Sequence, residues 1–324
     1  MNEFEIISHY FKQANSNGQK DVVLGIGDDA AIIHVPVDSE LLISTDTLVA
    51  DVHFPLNTLP EDIAFKSLAV NLSDMAAMGA EPRWITLSLT MPEFNQEWLN
   101  HFADSFNRLA ADYEIVLVGG DLSRGPLSVT VQMQGLVPKG ISKKGVALRR
   151  RGATPGDLIY ITGKLGAAAF ALKSILNQDN IYQNPSVEEI QRLNRPEPRV
   201  KTGIALRGIA SSCIDISDGL LADLGHILEA SNVGAEVMLE NIPYSDSLLK
   251  LDNEVAIELA LTGGDDYELC FTLPANIKDS IVEKLHRICP IKHIGSINDN
   301  APDLVFKKAN GEIYQAKSHA YRHF

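Results

Sequence analysis

Six times along the chain, aspartate stands at the end of an apolar segment or beside glycine, and this recurrence constrains the fold more than any other feature. The segments are GIGDD at 25–29, ISTD at 43–46, NLSD at 71–74, VGGD at 118–121, IDISDG at 214–219 and TGGDD at 262–266. A single aspartate beside glycine is most often a turn or a helix cap. Six such ends in one chain indicate an acidic site built from the ends of many elements.

Clustered carboxylates without lysine partners repel one another, and their pKa values rise unless divalent cations hold them together. Ser44 and Thr45 add hydroxyl oxygens beside Asp46, and hard oxygen donors suit magnesium, which is commonly shared with substrate phosphates. The chain has 42 acidic residues against 28 lysines and arginines. This balance repels a bare phosphate and offers no basic surface to nucleic acid. The sequence therefore predicts several magnesium ions that bring a polyphosphate to an acidic protein, with no nucleic-acid partner.

Spacing excludes the other common nucleotide and metal motifs. An EF-hand loop counted from Asp215 needs glycine at its sixth position and glutamate at its twelfth, where this chain has Leu220 and His226. The chain has no GxxxxGK[ST] loop, and the GIG at 25–27 lacks the third glycine of a dinucleotide fingerprint. Zinc, iron–sulfur and disulfide frameworks are not expected, because no CxxC spacing joins the three cysteines, Cys213, Cys270 and Cys289.

Hydrophobic periodicity predicts an α/β chain of the α+β type, with mixed sheets and helices packed on one side. In the first half we predict helices over 61–78 and 97–112 and strands over 85–90 and 127–133. Along 85–90, apolar residues alternate with hydroxyl residues, so one face of this strand should meet a core and the other a polar layer.

The second half shows the same mixture. We predict strands over 157–162, 213–216, 267–273 and 291–297, and helices near 166–177, after Pro198, after Asp218 and over 275–287. Gly and Pro interrupt the periodic pattern after the arginines at 149–151. Because 324 residues suffice for about two domains, we predict an N-terminal domain over 1–148 and a C-terminal domain over 149–324.

The first residues carry Glu3 and Glu5 and lack the apolar stretch of a signal peptide. No apolar run approaches the roughly 18 residues needed to cross a bilayer. We therefore expect a cytoplasmic protein without a membrane partner.

Six segments in this order and spacing closely resemble the thiamine-monophosphate kinase family, of the aminoimidazole ribonucleotide synthetase superfamily. They are GIGDDAA, ISTDTLVADVHF, NLSDMAAMGAEP, VGGDLSRGPLSVT, IDISDGLLADLG and TGGDDYELCF. Each segment alone is modestly specific, but the ordered set is highly so, and it extends from about Leu24 to Tyr321. The resemblance implies an N-terminal α/β domain that dimerises through its sheet, a C-terminal α/β domain and an ATP site in the cleft between them. It also implies a homodimer that binds thiamine monophosphate and ATP.

The resemblance implies roles for individual residues. The expected magnesium ligands are Asp29, Ser44, Thr45, Asp46, Asp74, Asp121, Asp215 and Asp218. The expected ATP contacts are Gly120, Arg150 and Ser217, and the expected thiamine phosphate contacts are His53, Asp265 and Tyr321. The family carries glutamate where Asp265 stands, which shortens that side chain by one methylene. Arg149 and Arg151 flank Arg150, so a shift of one residue would select another arginine.

The implied reaction explains why the site holds many aspartates and few lysines. Its nucleophile is a phosphate oxygen of thiamine monophosphate, and a phosphate monoester with a second pKa near 6 is already largely ionised at neutral pH. We therefore expect no catalytic general base; magnesium ions and positioning should carry catalysis, with ATP as co-substrate. A thiazolium cation could stack on Tyr321 or Tyr267.

Two alternative functions remain open at this stage. One is another ATP-dependent enzyme of the superfamily, such as aminoimidazole ribonucleotide synthetase, selenophosphate synthetase or the hydrogenase-maturation dehydratase. Selenophosphate synthetase should carry a reactive cysteine or selenocysteine near its N-terminal glycine-rich loop, whereas the first cysteine here is Cys213. The other alternative is a magnesium- and nucleotide-binding regulator without turnover.

Overall fold

The computed structural model describes residues 3–12, 21–140, 146–176, 179, 181–182 and 184–317. The chain divides into two compact units, Met1–Met75 with Ala80–Val146 and Ala76–Gly79 with Ala147–Phe324. The predicted domain limits, 1–148 and 149–324, stay predictions. None of the described helices is long and apolar enough to span a membrane.

The first unit is built on a four-stranded sheet. Its helices are α1 (Glu3–Ile7), followed by a π-helical turn (Ser8–Lys12), α2 (Pro60–Ala77) and α3 (Gln96–Asp112). Its strands are β1 (Val22–Leu24), β2 (Ile32–Ile33), β3 (Ser39–Val49), β4 (Glu81–Met91), β5 (Val116–Arg124) and β6 (Ser128–Pro138). The sheet has the order β3-β6-β4-β5, and β1 and β2 pair separately. Within the sheet only β4 and β5 run parallel.

The two faces of this sheet differ as the alternation along β4 predicts. Ile85, Leu87 and Leu89 are buried, whereas the intervening Thr86, Ser88 and Thr90 are partly exposed. Helix α2 lies over the apolar face, where its Asp74 contacts β3. On the second face, a small cluster around Trp84 is covered by apolar residues of β1, β2 and the loop between them. The rest of the second face is mostly polar, with Leu41 and Ile43 of β3 as exposed apolar residues.

The prediction of a helix over 97–112 is confirmed by α3. The side chain of Asn95 caps its first turn by accepting the N–H of Trp98. Leu99, Phe102 and Phe106 follow at helical spacing and are fully buried. Each contributes about 1.5–3 kcal/mol to the free energy of folding. The helix predicted over 61–78 is α2, displaced by one residue at each end.

The second unit is built on a seven-stranded sheet. Its helices are α4 (Ala167–Ile175), α5 (Val187–Asn194), α6 (Val200–Leu206), α7 (Leu220–Ser231), α8 (Asn253–Thr262) and α9 (Asp279–Ile288). Its strands are β7 (Leu158–Thr162), β8 (Ser212–Ile216), β9 (Gly234–Met238), β10 (Glu268–Leu273), β11 (Ile291–Asn298), β12 (Leu304–Lys307) and β13 (Ile313–Tyr314). The order is β13-β12-β9-β11-β7-β10-β8, and only β12 and β9 are parallel.

The order of strands in this second sheet brings two acidic loops side by side. Strand β8 is at the edge and β10 is its neighbour, with Asp215 opposite Leu269. The IDISDG segment leaves β8 at the same end of the sheet at which TGGDD enters β10, because these strands are antiparallel. This pairing positions the candidate site of the second unit.

Candidate functional site

In the first unit, the structure brings Ser44 and Asp74 into contact and places Asp46 on the same face of β3 as Ser44. The Ser44 hydroxyl donates a short hydrogen bond to Oδ2 of Asp74, across from β3 to α2. Asp46 is two residues further along β3, so its side chain leaves the same face of the strand. Thr45 points to the opposite face, and its side chain therefore does not join this group. One hydroxyl and two carboxylates thus share a face of the sheet.

The aspartate pair of the GIGDD segment lies in the loop between β1 and β2. Both Asp28 and Asp29 are exposed. The N–H of Asp29 donates to Oδ1 of Asp28 at 2.9 Å. This hydrogen bond uses the backbone of Asp29, so the exposed Asp29 carboxylate stays accessible to a metal ion.

The VGGD segment forms the second half of β5. A methyl group on Gly120 would lie 1.9 Å from the carbonyl oxygen of Leu87, so the close approach of β4 and β5 requires glycine here. Asp121 is exposed and stands opposite Ser88 of β4. Its Oδ2 accepts the Ser123 hydroxyl at 2.8 Å. The close packing of β4 and β5 therefore explains why glycine stands at position 120, and the contact of Gly120 with ATP stays a prediction.

Asp46 and Asp121 lie far apart in the first unit. Asp46 is on β3 and Asp121 on β5, the two opposite edges of the sheet. Three spacings of about 4.8 Å separate these strands, or about 14 Å in all. Across the described part of the chain, no three His, Cys, Asp or Glu side chains are grouped closely enough to hold a metal ion. One copy of this unit therefore does not bring Asp46 and Asp121 to a common ion.

His53 closes a turn that follows β3. Its backbone N–H donates to the Val49 carbonyl at 2.9 Å, and the Val49 N–H donates to Nδ1 of the ring at 3.0 Å. Because Nδ1 accepts, the proton of the neutral imidazole is on Nε2. The turn thereby fixes both the tautomer and the orientation of a half-buried ring.

In the second unit, Asp223 holds the IDISDG loop. Its Oδ2 accepts the backbone N–H groups of Ser217, Asp218 and Gly219 at 3.0, 3.0 and 3.1 Å. Burial raises the pKa of Asp223 to about 7, although these hydrogen bonds oppose the rise. The sequence analysis missed this residue. The available signal was an aspartate in the first turn of the helix that follows the loop.

The TGGDD loop lies directly against this IDISDG loop. Asp265 donates its N–H to the Ser217 carbonyl at 2.9 Å, and Tyr267 donates its N–H to the Ile216 carbonyl at 2.8 Å. The Tyr267 hydroxyl then donates to Oδ1 of Asp265 at 3.1 Å. The structure therefore joins the loops that carry Ser217, Asp218 and Asp265, and Tyr267 orients the Asp265 carboxylate.

The two acidic residues that flank Tyr267 anchor the loop inside the protein. Both carboxylate oxygens of Asp266 accept the N–H of Gly166 at 3.0 Å, and burial raises the pKa of Asp266 well above its usual value. Glu268 accepts hydrogen bonds from Nε and Nη2 of Arg199, each at 2.6 Å. Burial lowers the pKa of Arg199, but the hydrogen bonds and charge of Glu268 raise it overall. The sequence analysis missed Arg199 and Glu268.

The remaining predicted site residues are distributed over the second unit. Asp215 is buried in β8. Arg149, Arg150 and Arg151 are all exposed, so exposure does not select one of them as the ATP contact. The carbonyl of Arg150 accepts the Ser231 hydroxyl at 3.2 Å. Tyr321 lies outside the described residues.

The chain is similar to known proteins over almost its whole length. Family models of AIR synthase related proteins match in two parts, the N-terminal domain over residues 27–137 and the C-terminal domain over 154–306. Thiamine-monophosphate kinase of Escherichia coli strain K12 is 45% identical over 325 residues, with 99% of this chain and 98% of that protein covered.

Solved structures give the same result. The crystal structure of thiamine-monophosphate kinase from Stenotrophomonas maltophilia K279a has a TM-score of 0.85 at 42% identity and covers 97% of this chain and 98% of its own. The structure of AaThiL complexed with AMPPCP and TMP has a TM-score of 0.76 at 29% identity and covers 99% and 97%. Both similarities extend across both units.

Proposed function

This chain belongs to the thiamine-monophosphate kinase family, of the AIR synthase related proteins. We propose that its carboxylates hold the magnesium ions with which it transfers the γ-phosphoryl group of ATP to thiamine monophosphate. The products are thiamine diphosphate and ADP. The structure of AaThiL complexed with AMPPCP and TMP supports this pair of substrates. A cytoplasmic location stays part of the proposal.

The residues of the first unit fit magnesium by their chemistry. Ser44, Asp46 and Asp74 offer only oxygen donors from one face of the sheet, and the Ser44–Asp74 contact brings a hydroxyl and a carboxylate to one point. This contact is the observation that carries the metal proposal. Asp29, Thr45, Asp121, Asp215 and Asp218 complete the proposed ligands. Bound magnesium ions would neutralise the phosphate oxygens and align donor and acceptor.

The protein's own part is to position the two substrates. The acceptor phosphate is already ionised at neutral pH, so no side chain needs to remove a proton from it. In the second unit, Ser217 and Asp218 stand on a loop whose three N–H groups are fixed by Asp223. His53, through Nε2, and Asp265, oriented by Tyr267, would contact thiamine monophosphate, with Tyr321 as a further contact. Gly120, Arg150 and Ser217 would contact ATP.

We further propose a homodimer that completes the metal site. Asp46 and Asp121 belong to opposite edges of the sheet, so they can share an ion only when the β3 edge of one copy meets the β5 edge of another. The second face of β3 supports this association, because Leu41 and Ile43 are 38% and 61% exposed there.

The dimer is tested by light scattering coupled to size-exclusion chromatography. The native chain should elute at twice its 35.4 kDa mass. Ile43→Glu should produce a folded monomer, whereas Leu249→Glu, at an exposed leucine of the second unit, should stay dimeric. A native chain that is monomeric at micromolar concentration and fully active would contradict this part of the proposal.

The reaction itself is tested by phosphorus NMR of the protein with ATP, magnesium and thiamine monophosphate. The expected result is a diphosphate ester signal that grows with time and does not form when EDTA is present from the start. Thiamine in place of the monophosphate serves as the acceptor control. Intact ATP, or hydrolysis without a new diphosphate ester, would contradict the proposed function.

A further inference from the structure

Two residues at the end of the TGGDD loop have a backbone conformation that is costly for any residue except glycine. The φ angles of Asp265 and Tyr267 are 68° and 50°, in the left-handed region. This region is uncommon for aspartate and is an outlier for a bulky residue such as tyrosine. Such conformations persist only where the surrounding structure determines them, and they concentrate at ligand sites. The contacts on either side of Tyr267 therefore identify the residues that hold this segment.

Glu268, the residue after Tyr267, is held by side chains of two other elements. It is 2% exposed, and its Oε2 accepts hydrogen bonds from Nε of Arg199 at 2.6 Å and from the Thr162 hydroxyl at 2.5 Å. Its Oε1 accepts Nη2 of Arg199 at 2.6 Å. Arg199 directly precedes α6, and Thr162 is the last residue of β7. A Cβ atom on Gly163 would lie 2.0 Å from Oε1 of Glu268, so the turn after β7 leaves room for this carboxylate.

The backbone next to Glu268 is fixed as well. Oγ1 of Thr162 accepts the N–H of Leu269 at 2.8 Å. Glu268 is opposite Ile216 in the pairing of β10 with β8, and Tyr267 donates its N–H to the Ile216 carbonyl at 2.8 Å. The chain therefore enters β10 with its position and direction set immediately after Tyr267.

The side chain of Tyr267 carries this constraint to Asp265. Its hydroxyl donates to Oδ1 of Asp265 at 3.1 Å. Because φ helps to set the direction in which a side chain leaves the backbone, the left-handed conformation of Tyr267 decides where its hydroxyl lies. A series of contacts thus connects the buried pair of Arg199 and Glu268 with a carboxylate of the candidate site.

We propose that Glu268 and Tyr267 are positioning residues for the phosphoryl transfer. Glu268, fixed by Arg199 and Thr162, holds Tyr267 in its left-handed conformation, and the Tyr267 hydroxyl then directs the Asp265 carboxylate toward thiamine monophosphate. This inference rests on the proposed function, because it explains how the proposed substrate contact of Asp265 is kept in place. Glu268 does not touch the substrate in this role and acts through Asp265.

The first test removes the Tyr267 hydroxyl alone. Tyr267→Phe keeps the ring, and with it any stacking on the thiazolium, but loses the hydrogen bond to Asp265. The KM for thiamine monophosphate should rise about tenfold, equivalent to about 1.4 kcal/mol, while kcat and the KM for ATP stay near their native values. Glu236→Gln, which removes a glutamate–lysine ion pair from the same sheet, is the control and should change neither KM.

A double-variant cycle shows whether this effect passes through Asp265. Asp265→Ala alone should raise the KM for thiamine monophosphate at least as much as Tyr267→Phe does. Adding Tyr267→Phe to Asp265→Ala should then cause no further rise, because the hydroxyl has lost the group that it orients. An equal rise in both backgrounds would overturn the proposal, and so would an unchanged KM in either single variant.

Variants of the buried contacts test the part played by Glu268. Glu268→Gln and Thr162→Val each remove hydrogen bonds that fix the Glu268 side chain, and both should raise the KM for thiamine monophosphate. Thr162→Ser keeps the hydroxyl and should retain the native KM, whereas equal rises in Thr162→Ser and Thr162→Val would contradict the role of this contact. If Glu268→Gln does not fold, the Thr162 pair and Tyr267→Phe decide.

Formation of thiamine diphosphate by the native protein separates the two proposals. If the native protein forms it and Tyr267→Phe has a native KM, the positioning role is wrong and the proposed function stands. If the native protein forms none, both fail.

Discussion

The acidic residues of the two units differ in how the protein compensates their charge. In the second unit, Asp223 and Glu268 are buried, Asp266 is half-buried, and all three accept hydrogen bonds from backbone N–H groups or from Arg199. In the first unit, Asp29 and Asp121 are exposed, and Asp121 accepts the hydroxyl of Ser123. The same residue type therefore fixes loops in the second unit and lies at the surface of the first, where we propose that it holds cations.

The largest effect is expected from removing a proposed metal-binding carboxylate of the first unit. Asp121→Asn and Asp46→Asn should each lower kcat about 1000-fold or more, because they remove charge that positions the phosphates. Their melting temperatures should stay within a few degrees of the native value, since neither change alters core packing. Asp252→Asn, which keeps the cap of α8, is the control and should retain activity. A folded Asp121→Asn protein with normal turnover would contradict the metal assignment.

The next effect concerns the buried ion pair of the second unit. Arg199→Leu should lower the free energy of unfolding by about 3–5 kcal/mol, because Glu268 keeps a buried charge without its bidentate partner. Urea denaturation followed by circular dichroism measures the change. The double variant Arg199→Leu with Glu268→Leu should recover part of this loss. If the single variant is as stable as the native protein, the pair does not anchor the loop.

Asp223→Ala should have a smaller effect on stability and a specific effect on the loop. Three backbone N–H groups lose their acceptor, which costs about 1–3 kcal/mol in unfolding free energy. Asp223→Asn should lose less, since its amide oxygen can still accept. If Asp223 positions Ser217 and Asp218, Asp223→Ala also raises the KM for ATP, and Asp223→Asn largely restores it. Equal KM values in all three proteins would restrict Asp223 to a stabilising role.

The smallest expected effect is the pH dependence from Asp223. Its pKa is raised to about 7 in the folded protein and is near 3.9 in the unfolded chain. Between these values the folded state binds more protons, so the contribution of this group to stability falls as pH rises from about 4 to 7. Asp223→Asn should therefore show a shallower decline of unfolding free energy over this window, measured by urea denaturation at pH 5 and 7. Parallel declines would contradict the assigned pKa direction.

Sequence periodicity predicted many elements because their signals are local. Helix α3 follows from apolar residues at helical spacing, of which Phe102, Phe106 and Leu109 are buried, and β4 follows from strict alternation. Strand β9 and helix α8 were missed; β9 is only five residues long, and its GAEVM sequence lacks clear alternation. For α9, the helix predicted from residue 275 begins at Asp279.

The contacts of the site depend more on long-range pairing. Arg199 and Glu268 are 69 residues apart, and no local pattern connects them. The separation of Asp46 from Asp121 follows from strand order, which the spacing of residues along the chain does not determine. The acidic motifs themselves were visible in the sequence, although the expected strand end at Asp46 is wrong, because β3 continues to Val49, and Asp74 lies within α2.

Counting bound ions tests the contrast between the two units most directly. In this measurement manganese replaces magnesium. Electron paramagnetic resonance counts the manganese ions bound in the presence of a non-hydrolysable ATP analogue. We predict that Asp46→Asn and Asp121→Asn each bind fewer ions than the native protein, whereas Asp223→Asn binds the native number. An unchanged count in the first two variants, with a loss in Asp223→Asn, would contradict the account.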